Sequence, residues 1–133
     1  YDAGRGEQDD LRAVRDWAVG HSGLELAGLA GFSFGSAAAL RVAVADGAPS
    51  LVTIGLPTAY FDHDVPRPAC PWLAVYGDAD EVIDVERSIA ICRKLDEPPE
   101  LVLLDDAGHF LHGRLTELRS HLQDFWQIHR PRA

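Results

Sequence analysis

Apolar residues along the chain follow two alternating spacings. Short, continuous apolar runs recur at residues 24–29, 51–54, 72–76 and 101–104. Between and around them, apolar residues recur three or four positions apart, at residues 7–19, 34–45, 85–95 and 115–125. The runs are typical of strands that are covered on both faces, and the wider spacing is typical of helices. Because helices alternate with strands, the predicted class is α/β, with a sheet of about four parallel strands flanked by helices.

Residues that begin or end elements refine these segments. Gly20 is predicted to end the first helix, and Asp84 is predicted to cap the start of the third. The alanine-rich helix at 34–45 is apolar nearly all round, which predicts burial. Four prolines between residues 55 and 71 predict a loop. No repeat divides the 133 residues, so a single domain, 1–133, is predicted.

The charge balance and the cysteines exclude several classes of protein. Lys and Arg number 12 against 21 Asp and Glu, which gives a formal net charge of −9. An acidic domain without a basic stripe is poorly suited to bind nucleic acid, and no run approaches the roughly 18 apolar residues of a membrane span. The cysteines, Cys70 and Cys92, fit neither a metal spacing nor a disulfide framework, so free thiols in a cytoplasmic protein are predicted. No organic cofactor or metal is implied.

A G-x-S-x-G motif lies between the first strand and the alanine-rich helix. It reads Gly31-Phe32-Ser33-Phe34-Gly35. This is the context of a nucleophile elbow, a tight turn that strains the serine backbone and exposes its hydroxyl. Side chains at positions 31 and 35 are expected to collide with the neighbouring strand and helix, which explains both glycines. Ser33 is therefore the candidate nucleophile, and the backbone N–H of Phe34 is a candidate donor to a developing oxyanion.

Candidate partners for Ser33 follow the third and fourth strands, in the order Ser, Asp, His. Asp80 comes after residues 72–76, and His109 comes after residues 101–104. Since the carboxyl ends of parallel strands meet at one edge of a sheet, the three side chains should converge there. A serine needs a base that is oriented by an acid. We therefore expect His109 to take and return the proton, with Asp80 stabilising the charged imidazole.

Other polar residues near the strand ends are assigned to turns or to solvent. Asp78 is expected to shape its turn, and Asp105 and Asp106 are expected to bond the loop backbone. His112 ranks second to His109 as the base. The histidines predicted to be solvated are His21, His121 and His129. The run Phe61-Asp62-His63-Asp64 is interpreted as a solvated loop over the site, because three adjacent side chains of an extended loop cannot all face one metal ion.

Taken together, these residues resemble those of the α/β-hydrolases, and in particular a small bacterial group of lid-poor serine hydrolases related to dienelactone-hydrolase-like esterases. Three segments carry the resemblance: residues 1–7 (YDAGRGE), the elbow at 31–35, and residues 108–118 (GHFLHGRLTEL). The chain departs from the group's pattern at Ala3, where asparagine is expected. The resemblance implies a cytoplasmic serine hydrolase with the triad Ser33, Asp80 and His109, acting on a small-molecule acyl substrate.

The resemblance covers the later part of the family's fold. Such proteins have about eight strands, and a block before the elbow supplies the second oxyanion donor. The chain begins with Tyr1 and contains no Met, so we expect it to lack the front of the sheet. Losing one oxyanion donor typically costs about 100- to 1,000-fold in rate, and an elbow strand without its neighbour becomes an apolar edge. Poor activity and self-association through that edge are the expected consequences.

Two hypotheses of function follow. The first is a serine hydrolase that cleaves carboxylic esters through an acyl-enzyme, and a thioesterase or an acyltransferase would use the same three residues. The second is a non-catalytic α/β-hydrolase-like module that binds a ligand or a partner. A distance between Ser33 and His109 too long for a hydrogen bond would favour the second hypothesis.

Overall fold

The computed structural model describes residues 4–129, which form a parallel sheet and the helices that flank it. The helices are α1 (Arg5–Ser22), α2 (Phe34–Asp46), α3 (Val85–Arg93) and α4 (Leu115–His129). The strands are β1 (Leu29–Phe32), β2 (Leu51–Ile54), β3 (Trp72–Gly77) and β4 (Glu100–Leu104). A 3₁₀ helix, Thr58–Phe61, lies within the proline-rich segment predicted as loop. The expected departure at Ala3 lies outside the described residues.

The strands stand in the sheet in chain order, β1-β2-β3-β4, and every neighbouring pair is parallel. Leu29 pairs with Leu51, and Leu51 pairs with Trp72. All the carboxyl ends therefore lie at one edge of the sheet, and the loops after β1, β3 and β4 begin there. The predicted α/β class, with four parallel strands flanked by helices, is confirmed.

Two apolar clusters form the core, one on each face of the sheet. Alternate residues of β3 divide between them, because successive strand side chains point to opposite faces. Those residues are Trp72, Ala74 and Tyr76 in the first cluster and Leu73 and Val75 in the second. The first cluster also contains much of α2, which is buried as predicted, and the second contains Phe125 of α4. No helix in the described part of the chain is long and apolar enough to cross a membrane.

Two element boundaries differ from the prediction. The first strand is Leu29–Phe32 rather than residues 24–29, since its ladder begins where Leu29 meets Leu51. Gly28, just before it, lies against Ser50, and a Cβ atom at Gly28 would come within 2.2 Å of the Ser50 Oγ. Helix α1 continues past Gly20 and ends at Ser22, where Gly23 adopts a left-handed φ of 67° that commonly ends helices.

The outer strands are less covered than the inner ones. Every residue of β3 is buried, whereas β1 exposes Ala30 and Phe32, and β4 exposes Glu100 and Leu103. The prediction of strands covered on both faces therefore holds for β2 and β3 and is wrong for β1 and β4. Self-association through the β1 edge stays a prediction.

Candidate active site

Ser33 lies in the tight turn between β1 and α2. Its backbone adopts φ 53° and ψ −120°, a conformation that a residue other than glycine rarely takes. A Cβ atom at Gly31 would lie 2.3 Å from the Gly35 carbonyl oxygen, so glycine is required there as predicted. At Gly35 itself, apart from adjacent residues and the backbone of α2, no atom of the described residues lies within 4 Å of such a Cβ, so the predicted collision at that position is wrong. The strained turn is the geometry expected of a nucleophile elbow.

Asp80 lies in the turn after β3 and is held by the backbone. Its Oδ1 accepts hydrogen bonds from the N–H groups of Val82 at 2.8 Å and Ile83 at 3.1 Å. Its side chain is only 1% exposed. The other oxygen, Oδ2, lies 2.6 Å from Nδ1 of His109. One oxygen is thus anchored to the turn, which leaves the other directed at the imidazole.

The loop that carries His109 packs directly on the end of β3. Gly77 permits this contact, because a Cβ atom there would come within 2.2 Å of the Ala107 carbonyl oxygen. The same carbonyl accepts a hydrogen bond from the Ala79 N–H at 3.0 Å. Asp78 shapes the turn as predicted, since its Oδ1 accepts from the Asp106 N–H at 2.7 Å. These bonds join the two loops and set the position of the imidazole.

The three predicted catalytic side chains meet in one chain of hydrogen bonds. Nε2 of His109 lies 2.8 Å from Oγ of Ser33, and Nδ1 lies 2.6 Å from Oδ2 of Asp80. The His109 side chain is 4% exposed, so water competes little for these bonds. If Nδ1–H donates to the carboxylate, Nε2 is left to accept the serine proton, as activation of the hydroxyl requires. The structure therefore brings these residues together, and their catalytic roles stay a prediction.

Phe34, whose N–H is the predicted oxyanion donor, lies at the start of α2. It is the first residue of that helix and directly follows Ser33. A backbone N–H at a helix N-terminus is well suited to stabilise negative charge. The Phe34 ring meets the Tyr60 ring edge-on, with centroids 5.3 Å apart. The position suits the predicted role, which itself stays a prediction.

Two aromatic rings that the sequence prediction missed pack against His109. The centroids of Phe32 and Phe110 lie 5.1 Å and 5.3 Å from that of the imidazole. Both rings are exposed on their outer sides. They cover the imidazole and give the site an apolar rim. Their only signal in the sequence is their place beside motif residues, one inside the elbow and one directly after His109.

The competing acids have other contacts. Asp84 caps α3 as predicted, accepting from the Arg87 N–H at 3.1 Å. Asp106 adopts a positive φ of 52° in its loop, and the carbonyl of Asp105 accepts from the Arg114 side chain at 2.9 Å. None of these contacts orients an imidazole. Asp80 is the carboxylate that bonds His109.

The competing histidines lie outside the chain of hydrogen bonds. His112 is exposed, with its ring 6.1 Å from that of Phe110, and His121 is exposed on α4. His21 is exposed but stacks on Trp17. His129 is half-buried beside Phe125 rather than fully solvated as predicted.

A cavity of about 310 Å³ opens beside Ser33. Its walls come from the 3₁₀ segment and from the start of α3, and they include Thr58, His63 and Ser88. Nδ1 of His63 lies 2.9 Å from the Thr58 Oγ1. The predicted solvated loop at 61–64 is thus exposed at Asp62 and Asp64 but turns a half-buried imidazole to the cavity wall.

The other ionisable groups suggest no competing chemistry. Among residues 4–129, no group of three or more His, Cys, Asp or Glu side chains is placed to hold a metal ion. Both cysteines are free, as predicted. Burial raises the pKa of Cys92 to about 11, so this residue stays a thiol and is a poor nucleophile.

Solved α/β serine hydrolases are similar to this chain in both sequence and architecture. A serine hydrolase without a lid from Xanthomonas campestris has 40% identity and a TM-score of 0.87, over 100% of this chain and 61% of its own. An α/β serine hydrolase homologue from Coxiella burnetii has 40% identity and a TM-score of 0.82, over 92% of this chain and 59% of its own. The chain therefore has the fold of part of an α/β-hydrolase and is similar in sequence to α/β serine hydrolases.

More distant structures share the fold. An esterase from Pyrococcus furiosus, at 18% identity, superposes on this chain with a TM-score of 0.74, over 97% of this chain and 64% of its own. This chain spans 61% and 59% of the length of the two relatives at 40% identity. No protein-family model and no curated protein matches it. The predicted resemblance is confirmed at the level of the superfamily.

Proposed function

We propose that this chain supplies the catalytic triad of a serine hydrolase that cleaves carboxylic esters through an acyl-enzyme. The observation that carries the proposal is the continuous chain of hydrogen bonds from Asp80 through His109 to Ser33, with distances of 2.6 Å and 2.8 Å. The strained backbone of Ser33 supports it, because a nucleophile elbow holds its serine in such a conformation. The description of the two relatives at 40% identity as serine hydrolases supports it further.

Acylation uses each group of the site once. Oγ of Ser33 attacks the ester carbonyl carbon while Nε2 of His109 takes its proton. The carbonyl electrons move onto oxygen, and the N–H of Phe34 stabilises this oxyanion. When the oxyanion collapses, the bond to the alcohol oxygen breaks and His109 gives its proton to that oxygen. The alcohol leaves, and the acyl group stays on Ser33.

Deacylation repeats the sequence with water. His109 takes a proton from water, whose oxygen attacks the acyl carbon, and returns that proton to Oγ of Ser33 as the acid leaves. In both steps the imidazole carries a positive charge for a short time. The carboxylate of Asp80, fixed by two backbone N–H groups, stabilises that charge and prevents the ring from turning.

The geometry also bears on the alternative functions. The short distance between Ser33 and His109 disfavours a non-catalytic binding module, for which a longer separation is expected. A thioesterase or an acyltransferase would use the same three groups with a different leaving group or acceptor. Release of the free acid from an ester, measured by product analysis, identifies hydrolysis.

A fluorophosphonate probe tests the proposal, because it forms a covalent bond with an activated serine. We expect the 133-residue chain to acquire one adduct, which peptide mass spectrometry places on Ser33. The Ser33→Ala variant should acquire none. Ser120→Ala is the matched control, since Ser120 is an exposed serine of α4 and its removal should leave labelling unchanged. Equal labelling of Ser33→Ala, or no labelling of the wild-type chain, would contradict the proposal.

A further inference from the structure

The cavity beside Ser33 contains polar groups that the proposed mechanism does not use. Thr58 and Ser88 are buried in its wall, at 1% and 3% exposure, and His63 completes the group. The Thr58 Oγ1 lies 2.9 Å from Nδ1 of His63 and 3.3 Å from the Ser88 Oγ. A buried hydroxyl without a partner is costly, so a network of this kind holds its members in defined positions.

The backbone that carries His63 is also in an unusual conformation. Asp62 and His63 have φ values of 51° and 60°, so two consecutive residues other than glycine adopt the left-handed region. The His63 N–H closes the turn by donating to the Thr58 carbonyl at 3.1 Å. Strained backbone of this kind persists only where surrounding contacts enforce it, and it is common at ligand sites. Here its effect is to hold an imidazole at the wall of the cavity that opens on Ser33.

The hydrogen-bonding capacity of His63 defines what it can bind. With Nδ1 bonded to Thr58, its Nε2 has no partner among residues 4–129. This nitrogen donates a hydrogen bond in one tautomer and accepts one in the other. A hydroxyl group can both donate and accept, so it fits the ring in either tautomer.

The charge around the cavity disfavours an anionic ligand. Among residues 4–129, no Lys or Arg lines the cavity, whereas Asp84 does, and Asp62 and Asp64 flank His63. Arg41, behind Tyr60, donates to the Tyr60 carbonyl and packs over the Phe61 ring. A carboxylate placed in the cavity would meet acidic neighbours without a cationic partner. The ligand group is therefore neutral.

The size of the cavity limits the rest of the ligand. Its volume of about 310 Å³ is at the lower end for small-molecule sites, and Pro57, Ala59 and Ile83 contribute apolar wall. We propose that this cavity is the acyl subsite, that it takes short acyl groups bearing a hydroxyl, and that His63, positioned by Thr58, bonds that hydroxyl. The inference rests on the proposed function, since the acyl group must be attached to Ser33.

The test compares three p-nitrophenyl esters: butanoate, 3-hydroxybutanoate and hemisuccinate. The rate of p-nitrophenolate release in the first turnover measures acylation of Ser33. We expect the wild-type chain to acylate faster with one enantiomer of the hydroxy ester than with butanoate, and slowest with the anionic hemisuccinate. One neutral hydrogen bond corresponds to a selectivity of about 3- to 10-fold.

Variants separate binding of the hydroxyl from general effects. The hydroxy-ester ratio is the acylation rate with the hydroxy ester divided by the rate with butanoate. In His63→Phe this ratio should fall to about one, even if the substitution changes both rates by a common factor. Thr58→Val keeps the side-chain shape but removes the hydroxyl that positions His63. The hydroxy-ester ratio should therefore fall to a value between that of the wild type and that of His63→Phe. His121→Phe removes an exposed histidine of α4 and should preserve the wild-type ratio.

The outcomes distinguish this inference from the proposed function. If Ser33 reacts with the fluorophosphonate probe but His63→Phe keeps the wild-type ratio, the subsite assignment is wrong and the serine hydrolase stands. A wild-type ratio of one or less, or a preference for hemisuccinate, overturns the assignment in the same way. If Ser33 reacts with neither probe nor ester, the proposed function fails and the subsite fails with it.

Discussion

Two histidines lie near Ser33, and each belongs to a different network of hydrogen bonds. His109 bonds the buried carboxylate of Asp80, whose other oxygen accepts from two backbone N–H groups. His63 bonds the neutral hydroxyl of Thr58, which in turn contacts the hydroxyl of Ser88. A carboxylate stabilises a positively charged imidazole, whereas hydroxyls stabilise it far less. The first network is suited to moving a proton, and the second is suited to holding a ring for binding.

Removing the charge behind His109 should have the largest effect. We expect Asp80→Asn to slow acylation by p-nitrophenyl butanoate about 10⁴-fold, because the amide neither stabilises the imidazolium nor selects the productive tautomer. The hydroxy-ester ratio should stay at its wild-type value, since the Thr58–His63 contact is untouched. Asp105→Asn, in an exposed residue of the His109 loop, is the matched control. If Asp80→Asn slowed acylation less than tenfold, the carboxylate would not give the His109 network the proton-transfer role that distinguishes it from the His63 network.

Moving the His109 loop should have an intermediate effect. In Gly77→Ala, the new Cβ would press on the Ala107 and Gly108 carbonyl oxygens, at 2.2 Å and 2.8 Å. We expect the free energy of unfolding in urea to fall by about 1–3 kcal/mol and acylation to slow about 100-fold as His109 shifts.

The same substitution elsewhere provides the control for Gly77→Ala. Gly20 lies within α1, and among residues 4–129 a Cβ atom there would meet nothing within 4 Å beyond its own helix backbone. Gly20→Ala should therefore stabilise the chain by up to about 1 kcal/mol. If Gly77→Ala unfolds at the same urea concentration as the wild type and acylates at the wild-type rate, contact between the two loops does not position His109.

The far end of the His63 network should show the smallest effect. Ser88→Ala removes the 3.3 Å contact to Thr58 but keeps the bond from Thr58 to His63. We expect the free energy of unfolding to fall by about 1 kcal/mol and the hydroxy-ester ratio to fall less than in Thr58→Val. A larger fall than in Thr58→Val would mean that Ser88 contacts the ligand itself.

The meeting of the three candidate residues could be predicted because it follows from the topology of the sheet. Once the strands are parallel and in chain order, residues that follow β1, β3 and β4 must reach the same edge of the sheet. Ser33, Asp80 and His109 occupy such positions, and the glycines of the elbow mark the first of them. The start of β1 could not be predicted in the same way, because its register is set by contact with β2, where Leu29 pairs with Leu51.

The position of His63 depends on features that spacing does not reveal. The 3₁₀ helix Thr58–Phe61 reverses the segment, and two successive positive φ values bring His63 back to Thr58. Asp and His tolerate this region better than most residues, yet nothing in the run from 61 to 64 requires it. The exposed aspartates that flank His63, one on each side, favour the interpretation of a solvated loop. The position of the His63 imidazole becomes clear only from the structure, which shows its bond to the buried hydroxyl of Thr58.

The order of the strands also has a consequence for synthesis of the protein. Ser33 and His109 are separated by 76 residues, and β4 directly precedes the loop that carries His109. At about 5–20 residues per second, the ribosome adds that stretch in about 4–15 s. During that interval Ser33 exists without the imidazole that bonds it. On the proposed function, a chain whose translation has not reached His109 carries an unreactive serine, and reactivity appears only after β4 and the loop that follows it have joined the sheet.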